Sequence, residues 1–388
     1  MKEKNLQLLI PVAAGLEQIV KRQLFSLGFE RAPAFNGRIE TEGDWQDVAR
    51  LNVFLRSGER VLIKLREFPA RTFDELYDNF YAIPWEDWLS VDSKILMDGK
   101  SVQSALAAVK AAGGVAKKAI IRRLMDKKKT GRRTASESGA RSVVGCSLYR
   151  DRATVTLDTS GEGLHKRGYR SLAYTAPLKE TLAAALVDLS FYNPDADPEK
   201  PFADVFCGSG TLPVEAAMKA LHIAPGVNRS FDFCFWECAP KGILERAREE
   251  ARDGEKRGRQ VCVYGSDISA EAISVARYHA KRAGVEKNIV FSVADMRAFK
   301  STVPYGVMIC NPPYGERLLG EEEVKSLYRD FGRTFRALPD WSAYVLTSFS
   351  EFERFFGKSA DRKKKLCNAN LECGLYAYFG KKPERAER

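Results

Sequence analysis

The chain reads Asp204-Val205-Phe206-Cys207-Gly208-Ser209-Gly210-Thr211 where an apolar stretch that begins at Phe202 comes to an end. Two glycines directly after a predicted strand let the backbone approach a ligand closely before the next helix starts at Leu212. Such a turn suits either a phosphate or an adenosyl group. It lacks the three-glycine spacing of a dinucleotide site and has no Lys-Ser or Lys-Thr pair for a phosphate loop. The stretch therefore predicts an α/β fold with a ligand at this turn.

Further apolar stretches also end in polar side chains, as expected of parallel strands whose carboxyl ends line one site. Residues 261–267 end in Asp267, suited to accept hydrogen bonds from ribose hydroxyls, and residues 289–295 end in Asp295, a candidate acceptor for an adenine amino group. Each acid alone is more often a helix cap. The predicted cofactor site comprises Asp204, Phe206, Cys207, Gly208, Ser209, Gly210, Thr211, Asp267, Ile268, Asp295, Met296 and Asn311.

A fourth apolar stretch, residues 307–310, runs into Asn311-Pro312-Pro313-Tyr314. An exocyclic base nitrogen is a poor nucleophile until acceptors draw its lone pair out of conjugation with the ring. The side-chain carbonyl of Asn311 and the backbone carbonyl of Pro312 are such acceptors, and the two prolines hold them in place. Tyr314 offers a flat face to an unstacked base. We predict that these four residues catalyse methylation of a nucleobase amine, although the tetrapeptide alone is equally typical of an ordinary proline-rich turn.

With these residues in view, the chain resembles a known family: class I S-adenosylmethionine-dependent RNA methyltransferases with an N-terminal THUMP domain, in particular the bacterial guanine-N2 rRNA methyltransferases. The resemblance covers nearly the whole chain. Its motifs are Leu164-His165-Lys166-Arg167-Gly168-Tyr169-Arg170, Ala176-Pro177-Leu178-Lys179-Glu180-Thr181-Leu182-Ala183-Ala184-Ala185, residues 204–216 and Asn311-Pro312-Pro313-Tyr314. The family usually has proline where this chain has Val205, and residues 223–258 read as an insertion that the family also carries.

The resemblance implies a fold and an activity. The expected fold is α/β, with a Rossmann-like class I methyltransferase domain built on a seven-stranded mixed sheet at residues 161–388, after a ferredoxin-like subdomain at 1–65 and a THUMP domain at 66–160. The expected cofactor is S-adenosylmethionine, and the expected target is the N2 amine of a guanine in 23S rRNA or its precursor. Three alternatives stay open: a tRNA guanine-N2 methyltransferase, an adenine-N6 methyltransferase that uses the same tetrapeptide, and a non-catalytic RNA-binding assembly factor.

Charge agrees with an RNA partner. The formal net charge is +11 and the pI is about 9.2, which favours a polyanionic ligand. The excess is concentrated in residues 110–133, where ten basic residues accompany one acid, Asp126. Helical periodicity over residues 116–125 predicts a polar side suited to phosphates, although a solvated basic face is the competing interpretation. The predicted RNA contacts are Lys117, Lys118, Arg122 and Arg123, together with Lys166 and Arg167.

Other classes of protein are disfavoured. The pairs Cys234-x3-Cys238 and Cys367-x5-Cys373 lack a second pair with zinc-finger spacing, so we predict no metal. Cys207 is interpreted as a small residue in a crowded turn and not as a nucleophile, because the amine attacks the sulfonium methyl directly. No segment approaches the roughly 18 apolar residues of a membrane helix, and the N-terminus does not read as a signal peptide. We therefore expect a cytoplasmic protein that does not bind membranes.

Overall fold

The structure is a computed structural model that describes residues 5–128, 136–172, 178–314, 320–368 and 371–382. The N-terminal elements are β1 (Leu6–Pro11), α1 (Glu17–Ser26), β2 (Ala34–Phe35), β3 (Arg38–Gly43), α2 (Trp45–Phe54), β4 (Leu62–Pro69), α3 (Phe73–Tyr81), β5 (Lys94–Val102), α4 (Val109–Lys128), β6 (Arg141–Tyr149) and β7 (Arg152–Asp158). The later elements are α5 (Glu180–Leu189), β8 (Phe202–Asp204), α6 (Thr211–Ala220), α7 (Ile243–Asp253), β9 (Val263–Asp267), α8 (Ala270–Ala283), β10 (Ile289–Val293), β11 (Val307–Cys310), α9 (Glu321–Arg336), β12 (Ser342–Thr347), α10 (Phe352–Phe356), β13 (Arg362–Asn368) and β14 (Leu371–Tyr378).

The N-terminal strands form one seven-stranded sheet in the order β2-β3-β1-β4-β7-β6-β5. The ferredoxin-like and THUMP regions therefore share a sheet, joined where β4 pairs antiparallel with β7. The boundary that we predicted between residues 65 and 66 falls inside β4, so it separates two sequence regions and not two sheets.

Local sequence accounts for the starts of several helices. Asp44 accepts a hydrogen bond from the Asp47 backbone N–H (2.9 Å), and the Asp47 side chain accepts one from the Asp44 N–H (3.0 Å), which together cap α2. Thr72 and Glu75 exchange the same pair of bonds at the start of α3. Caps of this kind satisfy backbone donors that a helix leaves unpaired at its N-terminus, and each contributes about 0.5–2 kcal/mol.

The second sheet has the order β10-β9-β8-β11-β12-β14-β13. Six strands run in one direction, and β14 is antiparallel to both of its neighbours. This is the predicted seven-stranded mixed sheet, and its last two strands, β13 and β14, form a C-terminal hairpin. The tip of that hairpin, residues 369–370, lies outside the described residues. Chain order reverses between β8 and β11, which is where doubly wound sheets open a crevice for a ligand.

Several predicted elements differ from the observed ones. Strands β5 and β6 were not predicted from the sequence. Residues 129–135, between α4 and β6, lie outside the described residues. Helix α4 starts at Val109, seven residues before the predicted periodicity. The sequence did not reveal these first turns because Gly113 and Gly114 have no side chains and interrupt the apolar pattern. The predicted insertion at residues 223–258 contains α7, which is tied to α2 by an ion pair between Arg50 and Glu250 (2.9 Å).

The helices in the described part of the chain include none that combines the length and the apolarity needed to span a bilayer.

Candidate active site

The polar strand ends predicted from the sequence meet at one edge of the second sheet. β10, β9, β8 and β11 are adjacent and parallel, so their carboxyl ends lie side by side. Two backbone hydrogen bonds continue the pairing past the strands: the Cys207 N–H donates to the Ser266 carbonyl (2.9 Å), and the Ala294 N–H donates to the Asp267 carbonyl (3.0 Å). The structure thus places the glycine turn, Asp267, Asp295 and Asn311 along a single edge.

The two glycines of the turn serve different purposes. Both have positive φ, 49° at Gly208 and 82° at Gly210. A Cβ atom added at Gly208 would meet no atom within 4 Å, so the backbone there faces open space. A Cβ at Gly210 would lie 2.9 Å from the Ala276 Cβ, because α8 packs closely against the turn. Gly208 therefore leaves room for a ligand, and Gly210 allows the helix to pack.

Asp267 closes the turn from the neighbouring strand. Its carboxylate accepts hydrogen bonds from the backbone N–H groups of Gly208 (3.0 Å) and Ser269 (2.9 Å). Each carboxylate oxygen has a second lone pair for a further donor such as a ribose hydroxyl. The adjacent Ile268 is 74% exposed, an aliphatic surface directly beside the carboxylate. This combination of an acceptor and an apolar surface suits an adenosyl group.

The other two predicted acids are already engaged. The Asp295 carboxylate accepts hydrogen bonds from two groups of Arg297, the backbone N–H (2.8 Å) and the side-chain Nη1 (2.7 Å). Asp295 therefore caps a helical turn, which is the alternative role that the sequence left open. Met296 beside it is buried. Asp204 is buried and accepts from the Phe206 N–H (3.0 Å), and burial raises its pKa to about 8. Asp204 therefore stabilises the backbone of the turn and has no surface to offer a ligand.

The remaining turn residues are packed into the protein. Cys207, Ser209 and Thr211 are buried, and burial raises the pKa of the Cys207 thiol well above its usual range, which keeps it protonated. The Phe206 ring packs edge-on against Phe331 at 5.1 Å between centroids. His279, which sequence reasoning did not single out, donates through Nδ1 to the Ser209 carbonyl (3.0 Å) and braces the turn from α8.

Asn311 holds the most unusual polar atom of the site. Its Oδ1 is buried, and no residue in the described ranges donates a hydrogen bond to it. An unpaired buried carbonyl costs about 1–3 kcal/mol, so such a group in a folded protein needs an explanation. Asn311 follows β11 directly, at the edge shared with the glycine turn. A donor supplied by a substrate would remove the cost.

Contacts that sequence reasoning missed fix the rest of the tetrapeptide. The Tyr328 hydroxyl donates to the Pro313 carbonyl (3.0 Å) and lies 2.9 Å from the Thr347 hydroxyl. Asn368 donates through Nδ2 to the Tyr314 hydroxyl (3.2 Å). Tyr314 is half-buried, and burial raises its pKa to about 12, so its phenol is neutral. The loop after β11 is therefore held at two points before any substrate arrives.

Apart from Arg167, the predicted RNA contacts fall into two groups, exposed side chains and side chains held in ion pairs. Lys118 and Lys166 are exposed, and Arg122 is exposed while paired with Asp126 (2.9 Å). Lys117 pairs with Glu137 (2.5 Å) and Arg123 binds Glu86 through two nitrogens (2.9 and 2.6 Å), which reduces what they offer to a phosphate. Three basic residues of the run, Lys129, Arg132 and Arg133, lie outside the described residues.

Arg167 requires a correction. Its side chain is 1% exposed and pairs with the equally buried Glu215 (3.4 Å), while Nη1 donates to the Leu164 carbonyl (2.7 Å). A guanidinium in this position has no surface to present to RNA, so the prediction that Arg167 contacts RNA is wrong. The basic letters of its motif gave no indication of a carboxylate partner 48 residues later on α6. Among the described residues, no group of three or more His, Cys, Asp or Glu side chains is placed to bind a metal.

Comparison with known proteins gives the site its context. Residues 167–377 match the RMKL-like methyltransferase domain, residues 7–62 the RlmL ferredoxin-like domain and residues 70–158 the THUMP domain. Over 383 residues the chain is 38% identical to the protein named "Putative RNA methyltransferase YpsC" of Bacillus subtilis (strain 168), covering 98% of each.

Two further matches bear on family and cofactor. The chain is 34% identical over 376 residues to "Ribosomal RNA large subunit methyltransferase K/L" of Psychromonas ingrahamii, covering 95% of this chain but only 49% of that longer protein. The crystal structure of SMU.472, described as a putative methyltransferase complexed with SAH, superposes with a TM-score of 0.92 at 38% identity and covers 99% of this chain and 100% of that one. These matches confirm the predicted fold class, and they support S-adenosylmethionine as the cofactor. The chain therefore belongs to the family of RMKL-like methyltransferases that carry a THUMP domain and an RlmL ferredoxin-like domain.

Proposed function

We propose that this protein transfers a methyl group from S-adenosylmethionine to the exocyclic N2 amine of a guanine in RNA, and that 23S rRNA is the substrate. The observation that carries the proposal is the buried Oδ1 of Asn311, which has no hydrogen-bond partner among the described residues and lies at the same sheet edge as the glycine turn. The THUMP match and the names of the two relatives support RNA as the substrate class.

The residues at the sheet edge fit an adenosyl cofactor. Gly208 faces open space, Asp267 has acceptor capacity left after its two backbone bonds, and Ile268 exposes an apolar surface. When bound, S-adenosylmethionine supplies a methyl group attached to a positively charged sulfur. An amine can take this methyl group in one step, with the sulfur as the leaving group. No covalent bond to the protein is needed, in agreement with a Cys207 thiol that is buried and protonated.

The chain's own part in the reaction is to prepare the amine. Asn311 Oδ1 and the Pro312 carbonyl accept the two N–H bonds, which draws the nitrogen lone pair out of the ring and stabilises the positive charge that develops on nitrogen. The methyl group would come from S-adenosylmethionine held at Gly208, Asp267 and Ile268, and one amine proton would be lost to solvent. The Tyr314 ring carries the unstacked base, a contact that contributes about 1–3 kcal/mol.

The same acceptors also suit the N6 amine of adenine, so base identity needs a direct test. We expect nucleosides from the 23S rRNA of a strain lacking the gene to have lost one N2-methylguanosine per ribosome by mass spectrometry. Loss of N6-methyladenosine would show that the target base is adenine and not guanine. Loss of a methylated nucleoside from tRNA would show that the substrate is tRNA and not rRNA. An unchanged set of methylated nucleosides, together with no binding of S-adenosylmethionine, would favour an assembly factor.

Removing the Asp267 carboxylate should weaken cofactor binding. Asp267→Ala deletes the acceptor proposed for the ribose hydroxyls and frees the Gly208 N–H, and a hydrogen bond to a charged group contributes about 1.5–3 kcal/mol. We expect the dissociation constant for S-adenosylmethionine, measured by calorimetry, to rise at least tenfold. Glu271→Ala, which removes an acid from the first turn of α8 nearby, is the control. Equal affinities for wild type and Asp267→Ala would exclude the ribose assignment.

The exposed side of α4 should contribute to RNA affinity through phosphates. Lys118 and Arg122 lie one helical turn apart on the same side of the helix. The double variant Lys118→Gln/Arg122→Gln should lower the slope of log affinity against log salt by about 1.4–1.8, because each lost phosphate contact removes about 0.7–0.9. Filter binding to 23S rRNA at several salt concentrations measures the slope. A slope equal to that of the wild type would show that this side of α4 is merely solvated.

A further inference from the structure

The outermost strand of the catalytic sheet carries an uninterrupted basic run, Arg362-Lys363-Lys364-Lys365, in the first half of β13. Lys363 pairs with Glu353, and Lys365 pairs with Glu372 (3.1 Å) although its side chain is 89% exposed. The side chains of Arg362 and Lys364 form no ion pair or hydrogen bond with another residue in the described ranges. Because side chains alternate along a strand, these two positions lie on one face and leave two positive charges unbalanced there.

This strand leads directly to the candidate active site. β13 ends at Asn368, whose amide donates to the Tyr314 hydroxyl. At about 3.3 Å per residue, Lys364 lies about 13 Å along the strand from Asn368, and Arg362 about 20 Å. The basic run is therefore close enough to hold the nucleotides that flank a base resting on Tyr314.

The Lys364 side chain lies beside the turn that follows β1, in the N-terminal half of the protein. The Lys364 Cε lies 3.7 Å, and the Lys365 carbonyl 3.1 Å, from where a Cβ on Gly15 would be, so the turn after β1 approaches β13. A cavity of about 240 Å³ lies at this junction, lined by Val12, Ala14, Lys179 and Cys367 among others. Lys179 adds a further positive charge, only loosely paired with Glu59 (3.8 Å).

We propose that β13 is an RNA-binding strand, in which Arg362 and Lys364 neutralise phosphates beside the target nucleotide and so deliver its base to Tyr314 and Asn311. The role assigned to the delivered base rests on the proposed function, whereas the contact with a polyanion rests on the unbalanced charge of the strand. The competing explanation is that lysines on an edge strand only prevent pairing with other chains. That explanation predicts no effect on RNA when glutamine, which is also polar, replaces them.

The test compares Arg362→Gln/Lys364→Gln with a matched control, Lys281→Gln/Lys287→Gln. The control removes the same charge at the opposite edge of the sheet, in α8 and just before β10, where both lysines are exposed. Binding to deproteinised 23S rRNA is measured at several salt concentrations, and single-turnover methyl transfer is measured at saturating RNA. Calorimetry with S-adenosylmethionine verifies that the cofactor site is intact in both variants.

We expect the β13 variant to lower the salt slope by about 1.4–1.8 and to slow single-turnover methyl transfer, because the base is delivered less often to Tyr314 and Asn311, while cofactor affinity stays unchanged. The control pair should lower the slope by much less. A slope loss no larger than that of the control would overturn the role of β13, even if the wild type methylates RNA normally. If the wild type transfers no methyl group to RNA, the proposed function fails, and the binding slopes still decide whether β13 contacts RNA.

Discussion

Replacing Asn311 with alanine should slow methyl transfer about 10²–10³-fold while cofactor affinity and folding remain as in the wild type. The expected size is that seen when one preorganised polar group acting on a transition state is removed. Oδ1 is buried without a donor in the described part of the chain, so its removal breaks no hydrogen bond of the folded protein there. Single-turnover transfer to saturating RNA isolates the chemical step from binding and product release.

Two variants sharpen this test. Asn311→Asp keeps an acceptor at the same position and should be milder than alanine. Tyr314→Phe retains the ring that stacks and loses only the contacts of the hydroxyl with Asn368 and Cys373, so it should keep most of the activity, whereas Tyr314→Ala should not. A wild-type transfer rate in Asn311→Ala would remove the residue from catalysis and leave the tetrapeptide as a turn.

The second large effect is expected on stability. Arg167→Met leaves the buried Glu215 carboxylate without its cation and removes the bond to the Leu164 carbonyl, and breaking a buried ion pair costs about 3–5 kcal/mol. We expect a matching fall in the free energy of unfolding, measured in denaturant. Glu215→Gln in the same chain should recover part of it, because the neutral amide still accepts from the Tyr169 hydroxyl (3.1 Å).

Arg333→Met is the matched control, since it removes an exposed pair with Asp330 (2.9 Å) and should change stability little. The same Arg167 variant also distinguishes a structural role of this residue from a contact with RNA. If Arg167 contacted RNA, the substitution would change the salt slope of binding and leave stability nearly unaffected, which is the reverse of our expectation.

The sequence predicted the catalytic sheet well because its signals are local. Each of the four strands at the site is a short apolar stretch that has a site residue at its end or within two residues of it, from the glycine turn to Asn311. Strands β5 and β6 lacked such a signal. In β6 one of the buried positions is Ser142, and in β5 Gly99 interrupts the pattern because the Cys146 carbonyl would lie 2.5 Å from its Cβ. Their pairing joins segments more than 40 residues apart.

The supporting contacts of the site had no local signal at all. The Pro313 carbonyl is bound by Tyr328, which lies 15 residues later and contacts Thr347, and the Tyr314 hydroxyl is bound by Asn368, 54 residues later. Only the packing of α9, β12 and β13 brings these residues together. Arg167 was misassigned for the same reason. Its charge was visible in the sequence, but its burial and its partner Glu215 depend on tertiary structure.

The central claim is most directly tested by identifying the methylated nucleoside. Purified protein and labelled S-adenosylmethionine are incubated in three separate reactions, with unmodified 23S rRNA, with unmodified tRNA and with duplex DNA. The nucleic acids are then digested to nucleosides, which are separated. Our account predicts label in N2-methylguanosine from 23S rRNA, with almost none when Asn311→Ala replaces the wild type. Label in N6-methyladenosine, in DNA alone, or at equal levels with Asn311→Ala would contradict it.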